Sequence, residues 1–180
     1  MLRRKLQEMI DLQAEVKVSQ HPLLLDALTR ECPNTIRLLE SPHPVERYTC
    51  LMYVLDFTEK PQYIAIAARG LRRVYAGPGF AHWLLDQGLV DEVSPSAARQ
   101  GDLLFYFDDE GRFTHAGLWV GNQRVVSKWG IGHLYEHGLF ELPESYGTNV
   151  RFFKRLPYDK AYDLFKRFAQ ENGVILDDTL

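Results

Sequence analysis

The chain has 180 residues, 46% of them hydrophobic and 25% charged, the balance of one ordinary globular domain with material for a proper core rather than of two independent units. Lys and Arg number 21 against 24 Asp and Glu, a net charge of -3, so neither nucleic acid nor an anionic membrane is expected as a partner. The only cysteines, Cys32 and Cys50, exclude a disulfide-stapled scaffold and an unaided cysteine zinc cluster.

Charged and amide residues interrupt the opening stretch, where an export signal would need an apolar run of about 7–15 residues. No run reaches the roughly 20 apolar residues of a bilayer span. The expected location is cytoplasmic, with delivery by a route that ignores N-terminal signals left open.

Leu2, Leu6, Met9, Ile10 and Val16 recur at near-helical spacing and predict an amphipathic helix over 2–17. Pro22 suits the start of a second helix carrying Leu23, Leu24, Leu25, Ala27 and Leu28, which Pro33 stops. Residues 41–70 read as a loop that begins Ser41-Pro-His-Pro, a helix opening near Thr49 or Cys50, and a helical stretch around Ile64 to Arg69. Gly77-Pro-Gly introduces a short helix from Phe80 to Gln87, ended by Gly88. After Pro95 the texture changes. Leu103 to Phe107, Phe113 to Val120, Arg124 to Lys128 and Asn149 to Lys154 are short aromatic and β-branched runs, which predict an antiparallel sheet. Tyr158 to Gln170 carries a helical stripe of Tyr162, Leu164, Phe165 and Phe168, capped by Gly173. The expectation is one α+β domain over 1–180, with a helical extension (1–40), a core (41–155) and a C-terminal helix (156–180).

Cys50 stands at the expected start of an apolar helix, where free backbone N–H groups and the dipole favour thiolate over thiol. It reads either as a prepared nucleophile or as a small buried hydrophobe. Cys32, at a helix end, reads as structural. A nucleophilic thiol needs a base, and His115 in mid-strand is the candidate, because a polar imidazole there costs stability unless it is used. Strand parity groups His115, Gly117 and Trp119 on one face, with Gly117 expected to leave open space beside the ring. His21, His43 and His82 read as structural. His133 and His137 would form a metal pair only on a helix, which Gly130, Gly132 and Gly138 disfavour.

Gln100-Gly-Asp-Leu-Leu-Phe-Tyr, His115-Ala-Gly-Leu-Trp-Val-Gly-Asn and Arg124-Val-Val-Ser resemble the core of the NlpC-type cell-wall peptidases, a branch of the papain-like superfamily. A closer likeness is to uncharacterised bacterial members with a Ser-Lys-Leu/Trp-Gly motif, matched by Ser127-Lys-Trp-Gly130, with Cys50, a later His137 and Tyr146-Gly147. The resemblance covers roughly residues 41–153. It implies a papain-like fold, with N-terminal helices packed on a central antiparallel sheet and an extra C-terminal helix. It also implies a Cys-His hydrolase acting through a thiolate–imidazolium pair and an acyl-enzyme, with Cys50 as nucleophile, His115 as base and then acid, and Ser127 orienting the imidazole, with His137 the alternate.

The oxyanion donors would be the Cys50 backbone N–H and the Tyr48 hydroxyl, with Trp129 beside the substrate. The chemistry would be attack on an amide, thioester or ester carbonyl of a peptide or other amide-containing substrate, with no cofactor implied. Thr49 precedes the cysteine where the peptidases favour Asp, and an uncharged Ser127 stands where His, Asn or Gln is usual. Both favour the rival expectation, a catalytically inactive binding module. An acyltransferase, whose apolar groove would be Phe80, Trp83, Leu84 and Leu85, and a deamidase or delivered toxin are further alternatives. The hairpin offers two registers: a Gly121-Asn122 turn puts Ser127 on the face opposite His115, whereas a Gly121-Asn-Gln123 loop, favoured by the likeness, puts both on one face.

Overall fold

A computed structural model describes residues 1–41, 43–59 and 74–176; the expected helical stretch at 64–69 lies outside them. Helices α1 (Leu2–Leu12) and α2 (His21–Glu31) come first, followed by α3 (Cys50–Val54), α4 (Pro78–Asp86) and, at the other end, α5 (Tyr158–Glu171). Between and around them run β1 (Arg37–Leu39), β2 (Glu92–Val93), β3 (Leu103–Phe107), β4 (Phe113–Gly121), β5 (Arg124–Lys128), β6 (Leu134–Gly138) and β7 (Asn149–Phe153). They form one antiparallel sheet in the order β1-β6-β5-β4-β3-β7-β2. The α+β architecture with N-terminal helices and a C-terminal helix is as the sequence predicts. No helix among the described residues is long and apolar enough to cross a membrane.

The first helix stops five residues short of the predicted 17. Gln13 is fully buried, its side-chain amide donates to the Tyr135 hydroxyl at 3.0 Å, and its carbonyl lies 3.2 Å from the His21 ring. Those tertiary bonds outweigh continued helix hydrogen bonding, and the periodic Val16 falls in the turn that follows. The second helix ends as expected: Cys32, just before Pro33, takes an extended conformation (φ -141°, ψ 106°), the geometry forced on a residue preceding proline. Thr49 caps α3 by accepting from the Met52 N–H at 3.1 Å, a standard N-cap bond.

Both faces of the sheet are covered, which is why β3 reads as an unbroken apolar run with all five residues buried. On one face Leu103, Phe105, Phe107, Ala116 and Phe153 pack with Leu51, Met52, Phe80, Leu84 and Phe165 of α3, α4 and α5. On the other, Leu104, Tyr106, Trp119, Val125, Trp129 and Tyr135 pack with Leu6, Met9, Leu25 and Leu28 of α1 and α2. The proposed acyl groove is part of the first core: Phe80 and Leu84 are fully buried, and Phe80 and Trp83 meet Phe168 at ring separations of 5.2 and 5.8 Å.

The β4–β5 hairpin has the register of the second alternative but neither of the expected turns. The tight turn has two residues, Asn122 and Gln123, both left-handed (φ 51° and 60°), with Gly121 opposite Arg124. A bulge between Trp119 and Gly121 then shifts the ladder so that Gly117 faces Ser127, the register a three-residue loop would give. His115 and Ser127 therefore share a face. The space beside Gly117 is not open: a Cβ there would lie 2.4 Å from Val125 Cγ1 and 3.2 Å from Ser127 Cβ.

A turn of 3-10 helix at Glu144–Tyr146 is strapped to α1. The Arg3 guanidinium donates to the carbonyls of Leu142, Pro143, Glu144 and Gly147, and Gln7 accepts from the Ser145 N–H. Gly147 closes the turn with φ 77°, and a Cβ on it would lie 2.0 Å from the Phe107 carbonyl oxygen. Replacing Gly147 with Ala is expected to cost at least the roughly 1–3 kcal/mol of a left-handed non-glycine residue, with further loss from the clash. Urea unfolding of the two proteins measures it, and equal midpoints would show that the turn is not held in this conformation.

Candidate active site

Strand β4 pairs with β5 only from Gly117–Ser127 onward. Toward its start the two strands part, and a cleft of about 370 Å³ opens there, lined by Thr49, Cys50, Phe113, Thr114, His115, Lys128, Gly130 and Tyr146 among others. The parting matters because the sheet has two faces. Cys50 begins α3 and packs with the core on one side, while His115 shares parity with Gly117 and Trp119, on the side of α1. The end of the ladder is where the two side chains reach a common space.

Cys50 is half-buried. Burial pushes its thiol up; the Ala116 backbone N–H, the Lys128 ammonium and the N–H groups of Leu51 and Cys50 act in the opposite sense and are outweighed. His115 is 1% exposed. Burial holds it well below the ordinary imidazole value, and the neighbouring His137 and Lys128 push it the same way. Both groups are thus driven toward their neutral forms. Desolvation thus opposes the thiolate that the N–H groups at the start of α3 favour.

The imidazole is held by stacking. Its ring lies parallel to that of Tyr146, 3.9 Å between centroids and 6° between planes. Its Nε2 is buried without a hydrogen-bond partner among the described residues, so Nδ1 is the nitrogen available to a proton in the cleft. Ser127, expected to orient this ring, serves another. The Trp129 indole N–H donates to Ser127 Oγ at 2.9 Å, and Ser127 Oγ lies 2.8 Å from His137 Nε2. His137 Nδ1 lies 2.8 Å from the Gly138 carbonyl, which must accept, so Nδ1 carries the proton and Nε2 accepts from Ser127. Ser127, His137 and Trp129 form a closed, buried network beside His115, and neither Ser127 nor His137 is bonded to it.

Trp129 is fully buried against Tyr135, 4.5 Å between ring centroids, and does not line the cleft. Tyr48 lines it, but its hydroxyl lies 2.6 Å from Ser41 Oγ. Ser41 Oγ gives its own proton to the His43 carbonyl, so the Tyr48 proton is committed to Ser41 and the expected oxyanion donor is occupied. His82 accepts from the Phe113 N–H at 3.0 Å, a structural role. His133 precedes β6 and His137 lies within it; four residues of extended chain separate them by roughly 13 Å, too far for one ion. Among the described residues no group of three or more His, Cys, Asp or Glu could hold a metal.

Tyr146 is the residue that sequence reasoning left out of the site, although Tyr146-Gly147 belonged to the resemblance. Its signal was the Pro143-Glu-Ser-Tyr-Gly turn, which fixes an aromatic ring on rigid backbone. No protein-family model, no curated protein and no solved structure matches the chain, and the chemistry open to the cleft follows from its own residues.

Two measurements test this electrostatic picture. Alkylation of Cys50 by iodoacetamide, in Cys32→Ser protein, is expected to rise with a midpoint above the roughly 8.5 of a free thiol; rapid reaction at pH 6 would show a thiolate already present. For His137, burial lowers the imidazole from 6.5 to about 4. The unfolded chain binds a proton below about pH 6.5 that the folded chain refuses down to about pH 4, so stability is lost as the pH is lowered through that window. His137 alone is expected to remove about 2 kcal/mol between pH 7 and pH 5, and His115 acts in the same direction. Urea titrations of wild type and His137→Gln measure this, the variant showing the flatter profile; identical profiles would mean that His137 is protonated inside the fold.

Proposed function

We propose that the chain is a cysteine hydrolase of the amidase or peptidase type, with a papain-like, NlpC-type arrangement of its elements. The observation that carries this reading is the convergence of Cys50, at a helix start, and His115, on a strand, on one cleft at the end of the β4–β5 ladder. A nucleophile and a base need that proximity.

The reaction starts from the neutral pair. As Cys50 Sγ attacks a bound amide, thioester or ester carbonyl, His115 Nδ1 takes the thiol proton, the S–C bond forms, and the carbonyl π pair moves to oxygen. Collapse of the tetrahedral species breaks the bond to the leaving amine, thiol or alcohol, which takes the proton back from His115. Water then attacks the thioester carbonyl as the same imidazole takes its proton; the C–S bond breaks, the acid departs, and the sulfur takes the proton back from His115. The substrate is a peptide or other amide-containing molecule, and the residues named need no cofactor for these steps.

A second reading has its own support. Burial drives both groups toward their neutral forms, and Ser127 is turned to His137, as in a domain that kept the fold and lost the chemistry. Acylation by p-nitrophenyl acetate separates the two. The hydrolase is expected to release a stoichiometric burst of nitrophenol and to carry an acetyl group on Cys50 by mass spectrometry. The burst is abolished in Cys50→Ala and slowed about 10²–10⁴-fold in His115→Ala. A folded protein whose Cys50 is alkylated but never acylated, or acylated equally fast without His115, is the binding module instead.

A further inference from the structure

An acyl-transfer site needs a donor for the oxygen that becomes negative in the tetrahedral intermediate. The Tyr48 hydroxyl, the side-chain donor suggested by the sequence, gives its proton to Ser41. A different hydroxyl in the same cleft is uncommitted. Tyr146 Oη accepts from the Gly130 backbone N–H at 2.9 Å. That bond uses a lone pair and leaves the phenolic proton without an acceptor among the described residues.

We infer that the Tyr146 hydroxyl is the side-chain oxyanion donor of this site, while its ring, stacked on His115, sets the imidazole plane. This rests on the acyl-transfer reading above and extends it to a residue with two roles. Three observations support it. Tyr146 and Gly130 line the cleft together with Cys50 and His115. Burial, and after it the nearby Cys50 sulfur, raise the pKa of the phenol, which favours its protonated, donating form. Finally, the residue is immobilised from behind. The Thr114 hydroxyl donates to the Tyr146 carbonyl at 2.6 Å, and Arg3 and Gln7 of α1 hold the backbone on both sides. A donor fixed before the reaction needs no reorganisation when charge appears, which is the source of its effect. The Gly130 N–H polarises the same hydroxyl and makes it a better donor.

Tyr146→Phe keeps the ring and deletes the hydroxyl. Two reactions of Cys50 read it out, both in Cys32→Ser protein. Alkylation by iodoacetamide displaces iodide at a saturated carbon and forms no oxyanion; acylation by p-nitrophenyl acetate forms one. The expected result is alkylation within about twofold of the parent and acylation slowed about 10²–10³-fold, the usual effect of losing one oxyanion donor. Tyr146→Leu, which also removes the stack, is expected to shift the pH dependence of acylation as well. Unchanged acylation in Tyr146→Phe, or equal loss in both reactions, overturns the oxyanion role while leaving the Cys-His hydrolase standing. A parent protein that is alkylated but never acylated overturns the hydrolase reading itself, and the role of Tyr146 with it.

Discussion

The arrangement depends on one constraint: a sheet buried on both faces sends alternate residues of a strand to opposite sides. His115 and Ala116 are neighbours in sequence, yet the imidazole lies toward α1 and the alanine methyl toward α3. A residue on α3 can meet His115 only where the sheet stops being continuous. That point is set by the β4–β5 ladder, which ends at Gly117 and Ser127, and by Gly117 itself, which any side chain would force away from Val125. The Ala116 N–H, beyond the end of that pairing, acts on the Cys50 sulfur instead. The cleft opens where that pairing ends.

The same constraint explains why the N-terminal helices bear on the cleft. The turn carrying Tyr146 is held by Arg3 through four backbone carbonyls. A guanidinium is suited to this, since it presents several donors in a fixed fork. Removing α1 would expose Tyr106, Tyr135 and Trp129, and would also free the turn that positions the stacked ring. The segment that reads as an appended helical extension is by this argument part of the support of the site.

Much of this was legible in the chain. The β-branched and aromatic runs located β3, β4, β5 and β7, and the Thr49-Cys50 junction located the start of α3. Strands β1, β2 and β6 were not legible. The first two have three and two residues, too few for any periodicity, and β6 follows Gly132 and ends on Gly138, glycines that mask a strand whose buried residues include Tyr135 and His137. The hairpin register was undecidable from the turn alone, because the bulge that sets it depends on packing farther along the strand. Only the family likeness favoured the register that puts Ser127 on the face of His115, and sharing a face does not specify a partner. That choice fell to His137, delivered by the illegible strand, and to the indole of Trp129. The stack on Tyr146 joins residues 31 positions apart in the numbering, and only the folded turn brings them together.

Desolvation has a further consequence for selectivity. A thiolate–imidazolium pair in a half-closed cleft reacts with any electrophile that diffuses in, and sustaining two charges there costs several kcal/mol per ion before their attraction is counted. A pair driven toward its neutral forms avoids that cost. In the proposed reaction it would become nucleophilic only when a carbonyl is bound closely enough for proton transfer and carbon–sulfur bond formation to proceed together. The rate would then depend on how well the emerging oxyanion is met. A site built this way places more weight on a fixed donor than on the basicity of its third member. That is consistent with an imidazole whose Nε2 has no partner, and with a rigidly held phenol at its face.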